Sequence, residues 1–342
     1  MRIGVTGLGF MGATHLKALA NIPGADLAAV MDLDEKRLAG DLSGIEGNLG
    51  GPAQKFDFTS VKRYRSVEEM AGDDSVDAVD VCLPTYLHAP VTLQLLRAGK
   101  HVLVEKPMAL DGAACDQMVA EAERQGRILM VAQVLRFLPA YQKLSGYMRD
   151  GSLGPIRSAF FRRRCAVPGW GPWEFDASKS GGGIFDLLIH DVDMCLHLFG
   201  VPEAVSATGP EDMAHGIDMI MAQFRYPDIG FVTITGGWHH MGAFPFSMDY
   251  TVAGDRGVVE YDSAGRPPAL YRANGESETP ELSGKDGYQA EIEYFAECCR
   301  TGAKPELCLP GESARSVKLA QLMLESRRRD GKWIECSALS GR

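Results

Sequence analysis

The run 180–193 carries the residue types and the spacing that an acid–base centre needs. Three consecutive glycines at 181–183 are followed by Asp186 and, four residues later, by His190. In a helix, residues four apart share one face, and Asp193 continues the same stripe. A carboxylate one turn from an imidazole can orient the ring and stabilise its charged form. The run therefore predicts either a proton-transfer site or a structural His–Asp pair on a glycine-capped helix.

A second group of residues, close to the N-terminus, has the features of a dinucleotide-binding turn. The pattern G-x-G-x-x-G is formed by Gly7, Gly9, Phe10, Met11 and Gly12. It lies between an apolar strand and a helix, and Asp32 follows twenty residues after the last glycine. In that context the glycines let the backbone approach a pyrophosphate, and the helix N-terminus attracts its charge. These residues predict a nicotinamide dinucleotide site rather than a structural glycine turn.

The identity of the dinucleotide depends on Asp32, at the end of the second predicted strand. A carboxylate there accepts hydrogen bonds from the ribose hydroxyls and repels a 2′-phosphate, so NAD is expected rather than NADP. Lys36 and Arg37 lie a few residues further on and could meet that phosphate. NADP therefore stays open as the less favoured cofactor, with Arg37 as a cofactor-contacting candidate in either case.

The ends of two further predicted strands should complete the cofactor crevice, because ligands of open parallel sheets bind beyond the carboxyl ends of the strands. Glu105 and Lys106 follow the strand 101–104. After the strand 78–83 come the residues expected on the nicotinamide side, Leu83, Pro84, Thr85 and His88. A lysine in this position can bond a ribose and a substrate hydroxyl. A surface position stays open for Lys106, as does a structural role for His88.

Three residues outside these motifs are candidates for contact with a hydroxylated substrate. They are Arg136, just past the sixth predicted strand, Trp173, and His239, at the end of the predicted strand 230–238. Trp170, Trp238 and His240 are weaker candidates for the same contact. For every aromatic residue of this set, packing in the core is the alternative. Asp186, His190 and Asp193 could in principle ligate a metal. No metal is expected, since a nicotinamide that accepts hydride makes one unnecessary.

Composition limits the classes of partner. The chain has 342 residues with a net charge of −10 and no basic stripe, so a nucleic-acid partner is not expected. The basic run 327–329 ends a predicted helix whose dipole it complements. The eight cysteines contain no C-x-x-C pair, which favours reduced thiols in a cytoplasm. The first strand begins almost at Met1 and no apolar run could cross a bilayer, so neither an export signal nor a membrane partner is expected.

The order of predicted elements divides the chain into two domains. In residues 1–135, short apolar strands alternate with helices, which predicts an α/β doubly wound parallel sheet of the Rossmann type. In residues 136–342, several strands follow one another with few helices, which predicts an α+β domain with an open, mostly antiparallel sheet. A helix is predicted over 183–199, and a Gly- and Pro-containing loop over 45–60. The second domain is expected to bind the substrate and to mediate oligomerisation.

These motifs resemble the glucose–fructose oxidoreductase/inositol dehydrogenase (Gfo/Idh/MocA) family over nearly the whole chain. The resemblance is carried by 7–12 with His15, by 82–88, by Glu105-Lys106-Pro107 and by 181–193. Further agreement comes from 253–257, from Tyr288, Glu291 and Phe295, and from Gly302 with Pro305. The resemblance implies an N-terminal Rossmann domain, NAD(P), a sugar or cyclic polyol substrate, and dimers or tetramers. It also implies a cis bond before Pro107.

The family's catalytic lysine corresponds to Lys106, and its Asp–His pair to Asp186 and His190. On this basis His190 is expected to take the hydroxyl proton of a secondary alcohol as hydride leaves the same carbon. Asp186 would hold the ring, and Lys106 would stabilise negative charge on the substrate oxygen. Two alternatives stay open: a redox-assisted glycosidase of the same family, with retained NAD and no net NADH, and a non-catalytic NAD-binding regulator.

Overall fold

The N-terminal half forms a six-stranded, all-parallel sheet. The computed structural model describes residues 1–45, 55–167 and 171–339. The strands are β1 (Arg2–Thr6), β2 (Asp26–Met31), β3 (Lys62–Tyr64), β4 (Ala78–Val81), β5 (His101–Glu105) and β6 (Leu129–Ala132). Their order in the sheet is β3-β2-β1-β4-β5-β6. Strands β4 and β6 are buried along their whole length, as expected where helices cover both faces. The predicted Rossmann-type sheet is confirmed.

Short helices connect these strands. They are α1 (Phe10–Leu19), α2 (Glu35–Leu38), α3 (Val67–Ala71), α4 (His88–Arg97) and α5 (Gly112–Gln125). Sequence signals set their ends: Ser66 and Glu69 form a reciprocal capping box before α3. Gly126 ends α5 in the left-handed conformation, with φ 61°. The predicted loop over 45–60 lies partly outside the described residues, which omit 46–54.

The second half forms a larger sheet that is mostly antiparallel, as predicted. Its strands are β7 (Ile156–Ala166), β8 (Ala204–Thr208), β9 (Glu211–Asp212), β10 (Ile217–Arg225), β11 (Phe231–His240), β12 (Ser247–Gly254), β13 (Gly257–Asp262), β14 (Arg266–Arg272), β15 (Ser277–Glu278) and β16 (Ile334–Glu335). Their order is β15-β14-β13-β12-β7-β11-β10-β8-β16, with β9 beside β10. Among the described strands of this sheet, β7 and β11 are the one neighbouring pair that runs parallel. Sequence reasoning missed β14, because two prolines interrupt it.

The remaining helices are α6 (Pro139–Arg149), α7 (Ala177–Ser180), α8 (Ile189–Phe199), α9 (Gly287–Thr301) and α10 (Pro310–Arg328). They include α8 and α10, which pack on the larger sheet, and α9, which packs on α1 of the N-terminal half. Ile292 and Phe295 of α9 are buried in one core cluster with Ile3 and Leu16 of the N-terminal half. The chain therefore returns to cover the first sheet, and the boundary between 135 and 136 stays a prediction. Within the described ranges, no helix is both long and apolar enough to cross a membrane.

Candidate active site

The turn after β1 is compact on its inner side and open on its outer side. Gly7 has φ 80°, and a Cβ there would lie 2.7 Å from the carbonyl oxygen of Cys82. A Cβ on Gly12 would lie 2.0 Å from the carbonyl oxygen of Gly7. A Cβ on Gly9 would meet nothing within 4 Å, so this part of the turn faces open space. Phe10 and Met11 begin α1 directly behind it. The turn has the geometry that a pyrophosphate needs.

Asp32 closes this turn from the end of β2. Its Oδ2 accepts a hydrogen bond from the Leu8 N–H at 2.7 Å, and its Oδ1 accepts one from the Asp34 N–H at 2.9 Å. Arg37 Nη1 lies 3.6 Å from Asp32 Oδ2. The carboxylate therefore stands beside the glycine turn, as the sequence predicts, with the Arg37 guanidinium next to it.

His88 ties together the loops that follow β4 and β5. One ring nitrogen lies 2.7 Å from the carbonyl oxygen of Leu83, and the other lies 2.8 Å from the carbonyl oxygen of Pro107. Burial lowers the pKa of this imidazole, although both carbonyls oppose the shift. Because neither nitrogen is available to a ligand, the predicted cofactor contact of His88 is wrong. Thr85 and its neighbours Leu83 and Pro84 stay cofactor-contact predictions.

Glu105 turns inwards rather than towards the crevice. Its Oε2 accepts a hydrogen bond from the Lys106 N–H at 2.9 Å, and its Oε1 lies 3.2 Å from His15 Nε2. The buried Glu105 carboxylate therefore holds the backbone of Lys106 and does not face the cofactor crevice, and contact of the cofactor with the rest of Glu105 stays a prediction. The bond between Lys106 and Pro107 is cis, which confirms that prediction.

Beneath the turn, His15 forms a buried ion pair. Its Nδ1 lies 2.8 Å from Asp80 Oδ2 and 3.5 Å from the Cys82 thiol. Burial alone would lower the pKa of His15, but Asp80 and Cys82 outweigh it and hold that pKa well above 6.5. Burial raises the pKa of the Cys82 thiol. Although these three residues are spaced for a metal, a protonated thiol beside a paired carboxylate favours a structural ion pair.

The helix predicted over 183–199 is interrupted at its start. Ile184–Leu188 form a π-turn, and the regular helix α8 begins only at Ile189. Isolated π-turns occur frequently at functional sites. Here the turn carries Asp186 to Lys106: the ammonium Nζ donates to the main-chain carbonyl oxygen of Asp186 at 2.6 Å and to its Oδ1 at 3.3 Å. Both side chains are largely buried, with 14% and 16% exposed.

His190 lies beside this pair but is not bonded to Asp186. No hydrogen bond joins the two side chains in the described parts of the chain, so the expectation that Asp186 holds the His190 ring is not met: Asp186 binds Lys106 instead. The ring Nδ1 is buried and has no protein partner there. Burial, followed by the positive charges of Lys106 and Arg163, lowers the pKa of His190 well below 6.5. His190 is therefore a neutral imidazole at neutral pH.

Two buried ion pairs attach α8 to its surroundings directly after His190. Arg163 of β7 donates to both oxygens of Asp191, from Nε at 2.8 Å and from Nη2 at 3.1 Å. Arg136, after β6, donates to Asp193 in the same way, at 2.8 Å twice. Helix α8 is thus attached to both sheets, by residues that lie one and three positions after His190.

The assignment of Arg136 as a substrate-binding residue is wrong. Besides Asp193, its guanidinium meets Glu312 Oε2 at 2.6 Å and the Leu307 carbonyl oxygen at 2.9 Å. The side chain is 1% exposed, which leaves no surface for a substrate. Asp193 likewise serves this ion pair rather than the stripe shared with His190.

The other predicted substrate contacts are less defined. Trp173 is half-buried in the segment before α7, and its ring stands against Gly171. His239 ends β11, with Nδ1 3.2 Å from the carbonyl oxygen of Gly237 and its ring 3.8 Å from that of His240. Trp238 is fully buried under Gly183 and is a core residue. Trp170 lies outside the described residues. Trp173 and His239 stay predictions.

Sequence reasoning missed three residues that hold the site together. Arg163 was detectable, since it falls on the buried face of an alternating strand and a buried arginine requires a carboxylate. Asp218 of β10 and Arg327 of α10 form a further buried pair at 2.5 Å. No local pattern announces it, because the two residues are more than a hundred positions apart.

Two family models cover most of the chain. Residues 1–133 match the oxidoreductase family with an NAD-binding Rossmann fold, and residues 141–260 match the GFO/IDH/MocA C-terminal domain. A trans-1,2-dihydrobenzene-1,2-diol dehydrogenase of Mus musculus is 32% identical over 299 residues, 82% of this chain and 84% of that protein. The chain belongs to the GFO/IDH/MocA oxidoreductase family.

Other family members resemble the chain over nearly its full length. The myo-inositol 2-dehydrogenase of Thermotoga maritima is 27% identical over 352 aligned residues, covering 96% of this chain and 97% of that enzyme. The crystal structure of an aldose-aldose oxidoreductase from Caulobacter crescentus, complexed with glycerol, superposes with a TM-score of 0.83. That pair is 24% identical and covers 98% and 99% of the two chains, so it supports the shared fold.

Proposed function

We propose that this family member is an NAD-dependent dehydrogenase that oxidises a secondary alcohol on a small cyclic polyol or sugar. The observation that carries the proposal is the Lys106 ammonium, held by Asp186 beside the neutral imidazole of His190. The mouse and Thermotoga relatives are both named for oxidation of a hydroxyl on a six-membered carbocycle. Sugars present the same arrangement of neighbouring ring hydroxyls.

Lys106 supplies the positive charge of the site. An ammonium has three N–H donors, and Asp186 accepts two of them through its carbonyl oxygen and its carboxylate. One donor is left for the substrate oxygen. A fixed donor of this kind stabilises negative charge that develops on the oxygen as its proton leaves. Asp186 therefore positions Lys106, which replaces the role expected from its spacing to His190.

His190 supplies the base. Its low pKa keeps the ring neutral at neutral pH, so a ring nitrogen can take the proton of the substrate hydroxyl. The positive charge of Lys106 disfavours the imidazolium, which drives release of the proton after the reaction.

The glycine turn and Asp32 are the residues that would hold the dinucleotide. The open space at Gly9 accommodates a diphosphate, and α1 directs its N-terminal N–H groups towards it. Asp32 retains lone pairs for ribose hydroxyls after accepting from Leu8 and Asp34. When bound, the nicotinamide accepts the hydride of the reaction. The Asp32 charge supports NAD over NADP, and Arg37 beside it is the candidate ligand for a 2′-phosphate.

We also propose a cytoplasmic homodimer or homotetramer, assembled through the face of the larger sheet opposite α8. All eight cysteines are unpaired, which supports a reducing compartment. On that face Phe160 and Phe231 form an edge-to-face pair at 5.1 Å, and both are 45% exposed. Exposed Met221 lies on the same face, and Arg162 with Asp249 supplies both signs of charge for a second copy. Multi-angle light scattering should give a multiple of the chain mass that falls to the monomer in Phe160→Glu/Phe231→Glu.

The proposed activity is tested by NADH formation with a panel of inositols, carbocyclic diols, aldoses and sugar acids. We expect substrate-dependent NADH with at least one ring-borne secondary alcohol, and loss of that signal in Lys106→Ala. No NADH with any alcohol, but consumption of a glycoside with retained NAD, would instead support the redox-assisted glycosidase. NAD binding without turnover of either class would support the non-catalytic regulator.

A further inference from the structure

We propose that Asp218 and Arg327 are positioning residues that fix the start of the π-turn and thereby hold Asp186 against Lys106. Neither residue reaches the crevice, and both lie on elements remote in sequence from the π-turn. The inference rests on the proposed function, because it assigns these residues to the geometry of the same Lys106 site.

Asp218 packs against residues 181–183, the three glycines that precede the π-turn. A Cβ on Gly182 would lie 2.3 Å from Asp218 Oδ2, and a Cβ on Gly183 would lie 2.7 Å from the Asp218 carbonyl oxygen. The Ile184 N–H favours the ionised form of the Asp218 carboxylate and opposes the rise in its pKa. Asp218 thus places a carboxylate from a distant strand at a helix start that has no capping side chain of its own.

Arg327 determines the state of this carboxylate. Its Nη1 meets Asp218 Oδ1 at 2.5 Å, and its Nη2 meets Glu211 Oε2 at 2.7 Å. The Asp218 side chain is 2% exposed. Burial raises the pKa of Asp218, and Arg327 opposes that shift. Without the guanidinium, a buried carboxylate loses its compensating charge and either takes a proton or moves away from the turn.

The turn 181–183 packs against Leu110, Met213 and Trp238 as well as Asp218. A cavity of about 300 Å³ borders it, lined among others by Gly181, Gly182, Arg327 and Arg328. Because side chains do not fill this space, the Asp218 contact restrains the turn where the cavity leaves it unsupported. Asp186 lies only two residues beyond Ile184, so a shift of the helix start carries its carbonyl oxygen away from Lys106 Nζ. Misplacement of a catalytic group by about 1 Å can lower the rate about 10²-fold.

The test compares Asp218→Ala and Arg327→Met with Arg328→Gln, the matched control. Arg328 lies next to Arg327, lines the same cavity and is exposed. We expect kcat to fall about 10²-fold in the first two variants, with an unchanged Kd for NADH and a small change in KM for the alcohol. The control should keep normal kcat. Arg327→Lys, which restores a positive charge, should recover part of the loss.

A second readout does not require turnover. The rate at which an amine-reactive reagent modifies Lys106, followed by peptide mass spectrometry, should rise in Asp218→Ala and Arg327→Met but not in Arg328→Gln. The inference is overturned if both variants match the control in kcat and in Lys106 labelling. It is also overturned if the loss of kcat equals the loss of NADH-binding sites, as simple misfolding would give. Absence of dehydrogenase activity in the unmodified protein would instead refute the proposed function and leave the labelling result valid.

Discussion

The ammonium of Lys106 lies 2.6 Å from the main-chain carbonyl oxygen of Asp186 and 3.3 Å from its carboxylate. This contact joins the end of β5 in the first sheet to the π-turn before α8. It orients the lysine through two acceptors of a single residue. Asp186 is thus engaged with Lys106, and His190 has no carboxylate partner among the described residues. The proposed site therefore combines a charged donor, Lys106, with a neutral base, His190.

Replacement of His190 should remove the base without affecting the dinucleotide site. In His190→Ala we expect kcat to fall by about 10²–10⁴-fold, the usual contribution of a general base, with an unchanged Kd for NADH. Steady-state kinetics and NADH fluorescence measure the two quantities. His197→Ala is the control, since His197 lies on the same helix but is exposed. Near-normal turnover of His190→Ala at neutral pH would make Lys106 the leading candidate for the proton acceptor.

The pH dependence should follow from the low pKa of His190. The ring must be neutral to accept a proton, so oxidation should remain constant as pH falls through about 6.5 and decline only below it. Removal of the nearby cation in Lys106→Met should raise the pKa of His190. In Asp186→Asn the Lys106 charge is no longer balanced, and the pKa should fall further.

Titration of ¹³C-labelled histidine by NMR follows these shifts even in variants that have lost activity, with the His190 signal assigned from His190→Ala. An unchanged His190 pKa in Lys106→Met would show that the two groups are not electrostatically coupled. A shift in the same direction in both variants would contradict the assigned charges.

Arg136 should contribute to stability rather than to substrate affinity. Removal of one member of a buried ion pair costs about 3–5 kcal/mol, so Arg136→Met should lower the free energy of unfolding by about that amount. Arg136→Met/Asp193→Leu removes both charges and should recover much of the loss. Urea unfolding measures both variants. A stable Arg136→Met protein with a raised KM for the alcohol would restore the substrate-binding role that the structure argues against.

The sequence predicted the parts of the site that depend on local order along the chain. The glycine turn 7–12, Asp32 and Lys106 lie where the sequence predicted, after strands of a parallel sheet whose carboxyl ends meet at one edge. The partners of Asp186, Glu105 and Arg136 were not predicted, because each partner depends on the direction in which a side chain points in the folded protein. The four-residue spacing of Asp186 and His190 implied a regular helix, and the π-turn changed the faces on which they lie.

Preference for NAD should depend on the charge of Asp32. Asp32→Asn keeps an acceptor for the Leu8 N–H while it removes the charge that repels a 2′-phosphate. We expect the ratio of kcat/KM for NAD over NADP to fall at least about tenfold, equivalent to about 1.4 kcal/mol. Asp34→Asn, at the exposed cap of α2, is the control. A kcat/KM for NADP equal to that for NAD in the unmodified protein would contradict the assignment and point to Arg37 as a phosphate ligand.

A deuterium-transfer experiment tests whether the protein moves hydride directly from a ring carbon of the alcohol to NAD. The best alcohol of the substrate panel is prepared with deuterium on the carbon that bears the oxidised hydroxyl, and the reaction is run with NAD in ordinary water. We expect the reduced cofactor to carry this deuterium, detected by mass spectrometry, and the product to be the matching ketone or lactone. Reduced cofactor without deuterium, or deuterium lost to water with no net reduced cofactor, would contradict it.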